Sequence, residues 1–307
     1  MGIAKGAAKI LLKEASRRPF GGRVLTLGKQ DIFLSYDLFS EISNEFGVKL
    51  CPVNVALSHK PAFAEKLLIS DVCFIQSLGF SEVKSLDNSD YESADYVFDL
   101  NNNEVPEDLF QAFDVIIDGG TIEHVFHLPN ALNNIFKMLR LGGRIIHLSP
   151  SSNHMDHGFY MFSPTLFWDF YTTNKFEVNY FELFRYTQRH DIDPWEISDY
   201  RPGCLGAIQF GGLDDGMYGI ACIVTKTKDS TGRVIPQQGS YLTAWGISDQ
   251  AKIEEGIETP QSYYLKLREY AKDTLKHFPF IYRAVRFIVN RILPQRKGLH
   301  LKIVARY

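Results

Sequence analysis

The sequence predicts an α/β protein built on a doubly wound, mostly parallel sheet. Short apolar segments alternate with amphipathic segments between residues 20 and 227, as strands and their covering helices do in parallel sheets. Several of the apolar segments stop at a glycine or an acidic residue. The chain has 307 residues, 45% of them hydrophobic, which is enough to bury one large core without disulfide or metal staples.

Seven segments are predicted to form strands. In chain order they are Arg23–Gly28, Val83–Asp87, Tyr96–Asp99, Phe113–Gly120, Arg144–Leu148, Phe176–Phe184 and Tyr218–Val224. Ligands of such sheets bind in the crevice at the carboxyl ends of the strands. The residues that directly follow each strand are therefore the first candidates for function.

The segments between these strands predict helices. Pro129 opens one helix, and Gly142-Gly143 is expected to end it in a left-handed cap. Ser163-Pro164 begins another, which ends near Asn174. Residues 1–19 are expected to form an N-terminal amphipathic helix. Residues 31–80 exceed the length of one ordinary crossover and predict an inserted lid, with helices at Asp31–Phe46 and Pro61–Ile69.

Composition excludes several classes of protein. A net charge of −3 lacks the basic footprint of a nucleic-acid binder, so no nucleic-acid partner is expected. The four cysteines contain no Cys-x-x-Cys pair, which excludes a zinc ribbon or a thioredoxin-like motif. Unpaired, scattered thiols fit a reducing compartment, and no apolar run is long enough to span a membrane. We therefore expect a cytoplasmic protein.

The C-terminal part differs from the rest in charge. Residues 228–262 predict a polar linker, and residues 263–307 a basic amphipathic helical segment. From Leu265 to Tyr307 there are eleven Lys or Arg and two Asp or Glu. Two interpretations stay open: a helix docked on the domain with solvated arginines, or a helix that contacts an anionic membrane surface peripherally.

The strand ends carry a resemblance to a known family. Gly28, Asp87, Asp99, the stretch Asp118–Val125 and the turn Leu139–Arg144 together resemble class I S-adenosylmethionine-dependent methyltransferases over residues 20–227. The resemblance implies a Rossmann-like sheet of seven strands with an antiparallel last strand, and S-adenosylmethionine as cofactor. The phrase Asp-His-Gly-Phe-Tyr-x-Phe-Ser-Pro, which begins at Asp156, resembles methyltransferase-like proteins encoded among bacterial surface-glycan genes.

The resemblance implies a set of cofactor contacts. Gly28 stands for the first glycine of the family's turn, whereas Gln30 replaces the second. Lys29 is expected to pair with the cofactor carboxylate and Gln30 to donate a hydrogen bond. Alternatively, this turn no longer binds the cofactor. The other implied contacts are Asp87 with the ribose hydroxyls (or capping a helix instead), Asp99 with the adenine amino group, Leu100 beside the ring, and Asp118, Gly119 and Gly120 along the sulfonium side.

Histidines after the fourth and fifth predicted strands are the candidate bases. His154 and His157 come first and His124 second, because imidazole accepts protons near neutral pH. Candidate acceptor contacts are Glu123, His127, Asp156, Tyr160 and Trp195. A metal on His154, Asp156 and His157 is the competing interpretation. One carboxylate is too few for a hard ion and the spacing fits no common zinc site, so no metal is expected.

These features predict an S-adenosylmethionine-dependent methyltransferase that methylates an oxygen of a small molecule or glycan, with a histidine as general base. Asp118-Gly119-Gly120-Thr121 stands where the family's adenine methylases carry Asn-Pro-Pro-Tyr, which argues against methylation of nucleic-acid bases. The alternative is a non-catalytic binding module on the same fold. A nicotinamide-dependent oxidoreductase is disfavoured because Gly-x-Gly-x-x-Gly does not follow the first strand.

Overall fold

The computed structural model describes residues 2–189, 193–206, 208, 212–245 and 301–307. The chain divides into two units. The larger unit comprises Met1–Tyr200, Met217–Pro236 and Ile303–Tyr307, and the smaller comprises Arg201–Gly216 and Gln237–Lys302. Every candidate site residue from the sequence lies in the larger unit.

Eleven strands are present among the described residues. They are β1 (Gly2–Ile3), β2 (Arg23–Leu27), β3 (Asp31–Ile32), β4 (Glu82–Asp87), β5 (Tyr96–Val97), β6 (Phe113–Asp118), β7 (Leu139–Pro150), β8 (Glu177–Tyr186), β9 (Glu196–Asp199), β10 (Met217–Thr225) and β11 (Ile303–Arg306). Strands β1 and β3 form a small parallel sheet. The other nine form the main sheet in the order β5-β4-β2-β6-β7-β10-β8-β9-β11.

The main sheet is mixed but largely unidirectional. Strands β5, β4, β2, β6 and β7 pair in parallel. Strand β10 is antiparallel to both of its neighbours, β7 and β8, so β8 runs in the same direction as β7. The predicted α/β class with a doubly wound sheet is confirmed, but the sheet has nine strands and not seven. The two additional strands are β9, from a segment in which no strand was predicted, and β11, from the segment predicted to be helical.

Seven α-helices lie among the described residues. They are α1 (Lys5–Arg17), α2 (Tyr36–Glu45), α3 (Pro61–Ala64), α4 (Asp71–Ser77), α5 (Leu128–Met138), α6 (Pro164–Thr173) and α7 (Gly239–Ala244), the last in the smaller unit. Serine side chains cap α2 and α4: Ser35 Oγ accepts from the backbone N–H of Leu38, and Ser70 Oγ accepts from that of Cys73. These caps satisfy N–H groups that the first helical turn leaves unpaired.

Helix α5 ends earlier than predicted. It stops at Met138, and Gly142 and Gly143 lie within β7 instead of capping the helix. Gly142 does adopt a left-handed conformation, with φ of +75°. The end of α5 is held instead by Lys226, whose Nζ donates to the carbonyls of Phe136 (2.8 Å) and Leu139 (2.7 Å). A cation at this position also interacts favourably with the helix dipole.

Helix α1 docks on the main sheet through a buried ion pair. Arg144 of β7 donates to Glu14 Oε1 at 2.6 Å, and both side chains are only 4% exposed. The same guanidinium donates to the carbonyls of Arg18 and Pro19 and lies over the ring of Phe20. Burying an arginine is tolerated here because its donors are paired.

The insertion between β2 and β4 differs in detail from its prediction. The predicted helix Asp31–Phe46 starts only at Tyr36, because Asp31 and Ile32 pair with β1. The predicted helix Pro61–Ile69 ends at Ala64, and α4 follows it unpredicted. Lys60 Nζ contacts Asp31 (2.8 Å) and Glu92 (3.2 Å). The pair with Asp31 lies within the insertion, and the pair with Glu92 joins the insertion to the loop after β4.

Most of the predicted C-terminal segments lie outside the described residues, which stop at 245 and resume at 301. Within the predicted linker 228–262, Gly239–Ala244 forms α7. Within the predicted helical segment 263–307, the described end forms β11, which pairs antiparallel with β9; the helix prediction is wrong for these last residues. No helix in the described ranges has both the length and the apolar character needed to cross a bilayer.

Candidate functional site

Three neighbouring strand ends meet at Gly28. Strand β2 lies between β4 and β6, with Leu27 beside Leu86 on one side and Asp118 on the other. Gly28 follows β2 with φ of +73°, a conformation that glycine adopts without strain. A Cβ placed there would have as its nearest neighbours Thr121 Oγ1 (3.2 Å) and Asp87 Oδ2 (3.8 Å). The strand order of the sheet reverses at β2, and two polar groups face Gly28 there. Sheets of this type bind ligands at such a reversal.

Gln30 folds back into this turn. Its side-chain Nε2 donates to the carbonyl of Leu27 at 3.1 Å, and its Oε1 is buried without a hydrogen-bond donor from any described residue. We predicted that Gln30 donates a hydrogen bond to a ligand. The structure instead uses this donor inside the turn. Lys29, between Gly28 and Gln30, is half-buried.

The two carboxylate oxygens of Asp87 have different neighbours. Oδ1 accepts from the backbone N–H of Asn88 at 2.6 Å. Oδ2 faces Gly28. No helix lies among the described residues between β4 and β5, so the helix-capping alternative considered from the sequence is wrong.

The segment after β5 is fastened to α5 by asparagines. Asn134 Nδ2 donates to the carbonyls of Leu100 (3.1 Å) and Asn102 (2.8 Å), and Asn130 Nδ2 donates to that of Asn101 (2.7 Å). Asp99 Oδ1 accepts from the backbone and the side chain of Asn101, and Leu100 is buried. These asparagines were not predicted as part of the site, although Asn130 and Asn134 lie one helical turn apart on α5.

Asp118 supports the site from behind. Its side chain is fully buried, whereas we predicted that it lines the cofactor space. Oδ1 accepts from the backbone N–H of Thr121 (2.9 Å), and Oδ2 lies 2.7 Å from His147 Nδ1. His147 Nε2 in turn lies 2.5 Å from the hydroxyl of Tyr171. This chain of contacts fixes the Gly119-Gly120-Thr121 turn, and Thr121 Oγ1 donates to the carbonyl of Leu27 at 2.6 Å.

Glu123 is a buried carboxylate on a single 3-10 turn, Ile122–His124. Neither of its oxygens receives a hydrogen bond from a described residue. Burial, followed by the nearby charge of Asp118, raises the pKa of Glu123 to about 8. Its Oε1 lies 3.8 Å from Nε2 of His124 and 3.6 Å from Nε2 of His157.

The loop after β7 brings the other histidines to the same place. The ring of His157 lies 5.1 Å from that of His124 and 5.7 Å from that of His154, centre to centre. His154 Nε2 lies 3.4 Å from the hydroxyl of Tyr186. Burial, with a contribution from His157, lowers the pKa of His124 and of His154. Burial, with a contribution from Glu123, raises the pKa of Tyr186 to about 12. The three candidate bases thus form one cluster.

The other predicted acceptor contacts are dispersed. His127 is exposed, and its backbone N–H donates to Asn101 Oδ1 at the start of α5. Asp156 is exposed in a left-handed conformation, with φ of +65°. The hydroxyl of Tyr160 donates to the carbonyl of Phe126 at 2.7 Å. Of these, Tyr160 also contacts the cluster directly, because its backbone N–H donates to the carbonyl of Glu123.

Trp195 is not an acceptor contact, contrary to our prediction. Its indole is buried and stacks on Phe184 and Tyr186, with ring centres 4.6 and 5.1 Å away. Its backbone pairs with that of Tyr307. A Cβ on Gly6 of α1 would lie 2.1 Å from the indole. Trp195 is therefore a packing residue that joins α1 and the C-terminus to the sheet.

Comparisons with known proteins do not assign the chain to a family. No protein-family model matches the chain, and no curated protein matches it. Solved structures that match include a SAM-dependent methyltransferase from Thermotoga maritima, at 13% identity and a TM-score of 0.35, which covers 73% of this chain and 91% of that one. Another is the 1,6-didemethyltoxoflavin-N1-methyltransferase from Burkholderia thailandensis with S-adenosylhomocysteine, at 13% identity and a TM-score of 0.28. It covers 72% of this chain and 77% of that one.

A third match is a phosphoethanolamine N-methyltransferase from Haemonchus contortus, also with S-adenosylhomocysteine, at 12% identity and a TM-score of 0.36, covering 72% of this chain and 52% of that one. At such identities and TM-scores, the likeness does not assign an activity to the chain. The function has to be argued from the chain's own residues.

Proposed function

We propose that the protein is an S-adenosylmethionine-dependent methyltransferase that acts on an oxygen atom of a small molecule or glycan. One observation carries the proposal: the ends of β2, β4 and β6 meet at Gly28, where Thr121 Oγ1 and Asp87 Oδ2 face a position without a side chain. This arrangement fits S-adenosylmethionine, whose ribose would lie beside the acid and whose charged methionine part would lie beside the glycine turn.

The residues around Gly28 fit the chemical groups of that cofactor. Asp87 Oδ2 is positioned to accept hydrogen bonds from a ribose diol, since a carboxylate accepts two at once. Leu100 and Asp99, held against α5, supply an apolar surface and an acceptor for an adenine ring. When bound, the cofactor supplies an electrophilic methyl group carried on sulfur.

The acceptor side is assigned to the cluster of Glu123 and the three histidines. An alcohol or phenol loses its proton as its oxygen takes the methyl group, and a positioned imidazole accepts such a proton. We favour His154 as the base over His157 and His124, because the Nε2 atoms of the latter two face the Glu123 carboxylate. His154 instead approaches the hydroxyl of Tyr186.

Exposed apolar side chains beside this cluster support a small-molecule or glycan acceptor. Phe126 and Phe159 are 61% and 67% exposed, and their rings lie 5.6 Å apart, edge to face. Met155 and Met161 are exposed on the same loop as Phe159. Clustered exposed aromatics of this kind stack on sugar or aromatic rings.

The test is a methyl-transfer assay with S-adenosylmethionine and a panel of phenolic and glycan acceptors, read as S-adenosylhomocysteine release and as product mass. We expect turnover with an oxygen acceptor, abolished in Asp87→Ala and strongly lowered in His154→Asn. His59→Ala, which changes an exposed histidine in the insertion, serves as the control and should retain activity. Transfer to nitrogen acceptors alone would contradict the assignment to oxygen.

A second function is favoured by one specific observation. The side chain of Gln30 occupies space in the turn that a glycine would leave open, which is the property expected of a methyltransferase fold that serves only as a binding module. Acceptor binding without any binding of S-adenosylmethionine or S-adenosylhomocysteine would select this alternative.

A further inference from the structure

The Glu123 carboxylate lacks the partners that a buried charge requires. Its side chain is 0% exposed, and no described residue donates a hydrogen bond to Oε1 or Oε2. A carboxylate removed from water without a partner costs several kcal/mol. A buried carboxylic acid therefore stays ionised only where it is paired or bound to a metal, and otherwise holds a proton.

Two imidazoles approach this carboxylate from different segments. His124 follows Glu123 on the same 3-10 turn, and His157 comes from the loop after β7. Their Nε2 atoms lie 3.8 and 3.6 Å from Glu123 Oε1. These contacts are too long for hydrogen bonds. One ligand atom from each of the three residues lies within 4.8 Å of the other two.

The two Glu123–histidine separations are close to those between ligands of one shared ion, whereas the full group, which extends to 4.8 Å, requires the two imidazole rings to turn toward each other. Around a tetrahedral ion with bonds of about 2.1 Å, ligand atoms stand about 3.4 Å apart. The Glu123–histidine distances exceed that value by only a few tenths of an ångström. His124 and His157 are 48% and 37% exposed, so each ring has room for the small rotation that closes the gap.

The surrounding backbone holds the three residues together. A Cβ on Gly158 would lie 3.1 Å from Glu123 Cγ and 3.2 Å from His124 Nδ1, so glycine allows the loop to pass closely over both. The backbone N–H of Tyr160 donates to the carbonyl of Glu123 at 3.2 Å. Support of this kind fixes ligand orientation in metal sites.

We propose that Glu123, His124 and His157 form a binding site for one divalent transition-metal ion such as Zn²⁺. Two imidazoles and one carboxylate are a donor set that suits zinc and its neighbours better than Mg²⁺, which prefers oxygen ligands. Three protein ligands leave at least one coordination position open, as catalytic zinc sites do. From the sequence we expected no metal, and the competing interpretation used His154, Asp156 and His157 as the ligands. The site proposed here differs from both. It does not depend on the proposed cofactor.

The test is metal titration of the full chain, first stripped with a chelator. Zn²⁺ is followed by calorimetry and Co²⁺ by its visible absorption, which reports coordination geometry. We expect one equivalent of either ion to bind and Mg²⁺ to bind far more weakly. Glu123→Gln and His157→Ala should each weaken Zn²⁺ binding at least as much as the roughly 10- to 100-fold lost when an outer-sphere partner is removed. His59→Ala should bind like the wild type.

Two outcomes would overturn the proposal. One is no stoichiometric binding of Zn²⁺ or Co²⁺ to the wild type. The other is binding that both variants retain, which would place the ion elsewhere. Thermal unfolding gives a second readout, because Zn²⁺ should raise the Tm of the wild type but not that of His157→Ala. His157 is partly exposed, so this variant keeps the test decisive even where Glu123→Gln fails to fold.

Discussion

The side-chain Oε1 of Gln30 lies against Gly119, so that a Cβ added to Gly119 would stand 2.5 Å from it. The two residues belong to different turns, one after β2 and the other after β6. Their contact closes one side of the space around Gly28. The Gln30 side chain must therefore shift if position 119 gains a side chain.

This contact predicts an energetic coupling between the two positions. Gly119→Ala forces the Gln30 side chain to move and should destabilise the protein by about 1–3 kcal/mol, as overpacking does. The same substitution in a Gln30→Ala background should cost much less, because the opposing side chain is gone. Urea unfolding of the double-mutant cycle measures the difference. Gly21→Ala is the control, since a Cβ there meets nothing within 4 Å; equal costs for Gly119→Ala in both backgrounds would refute the coupling.

Lys226 should stabilise the end of α5. Lys226→Met removes the donor that holds the carbonyls of Phe136 and Leu139 and leaves buried acceptors unpaired, at a cost of about 1–3 kcal/mol. The exposed neighbour Lys228 provides the matched control, Lys228→Met, whose free energy of unfolding should stay close to that of the wild type. A similar effect of the two substitutions would show that Lys226 does not cap the helix.

Tyr171 should contribute through its hydroxyl. Tyr171→Phe keeps the ring but removes the partner of His147 Nε2, in a fully buried site where an unpaired polar atom costs about 1–3 kcal/mol. Chemical denaturation measures the loss. Tyr91→Phe, at a 90% exposed position, should be neutral. An unchanged stability in Tyr171→Phe would mean that His147 does not need this contact.

Glu182 of β8 predicts a pH dependence of stability. Burial raises its pKa above the ordinary 4.5, although the ion pair with Lys13 opposes the shift. Because the folded-state pKa exceeds the unfolded one, the folded chain binds more protons between pH 4.5 and the raised value. Stability therefore falls as the pH rises through that window.

Glu182→Gln should remove this penalty. The free energy of unfolding of the variant minus that of the wild type should be larger at pH 7 than at pH 4. Urea unfolding at both pH values measures this difference. Glu177→Gln changes an exposed acid on the same strand and should show no such trend. A variant that loses relative stability on going to pH 7 would show that the Lys13 ion pair outweighs the cost of burial.

Local patterns predicted most of the main sheet. The apolar segments ending at Leu27, Asp87 and Asp118 became β2, β4 and β6, because a buried strand is recognisable from its own residues. Strands β9 and β11 were not predicted, since they gain their structure by pairing with β8 and with each other. The end of α5 was misplaced because its cap, Lys226, is distant in sequence.

The candidate site was predictable only in its outline. The glycine and the acids at the ends of β2, β4 and β6 lie at one end of the sheet, because these strands are parallel neighbours. The burial of Glu123 was not predictable, because glutamate is rarely buried without a partner. The pairing of Asp118 with His147 and the packing of Trp195 on Phe184 depend on contacts between distant segments. Sequence patterns locate strands and turns, but they do not determine which polar side chains face each other.

The central claim is tested most directly by calorimetric titration with S-adenosylmethionine and S-adenosylhomocysteine. We predict micromolar binding of both to the wild type, loss of binding in Asp87→Ala, and unchanged binding in Asp90→Ala, which removes an exposed acid from the same loop. No binding at millimolar ligand, or equal binding by Asp87→Ala, would contradict the assignment of the space around Gly28 as the cofactor site.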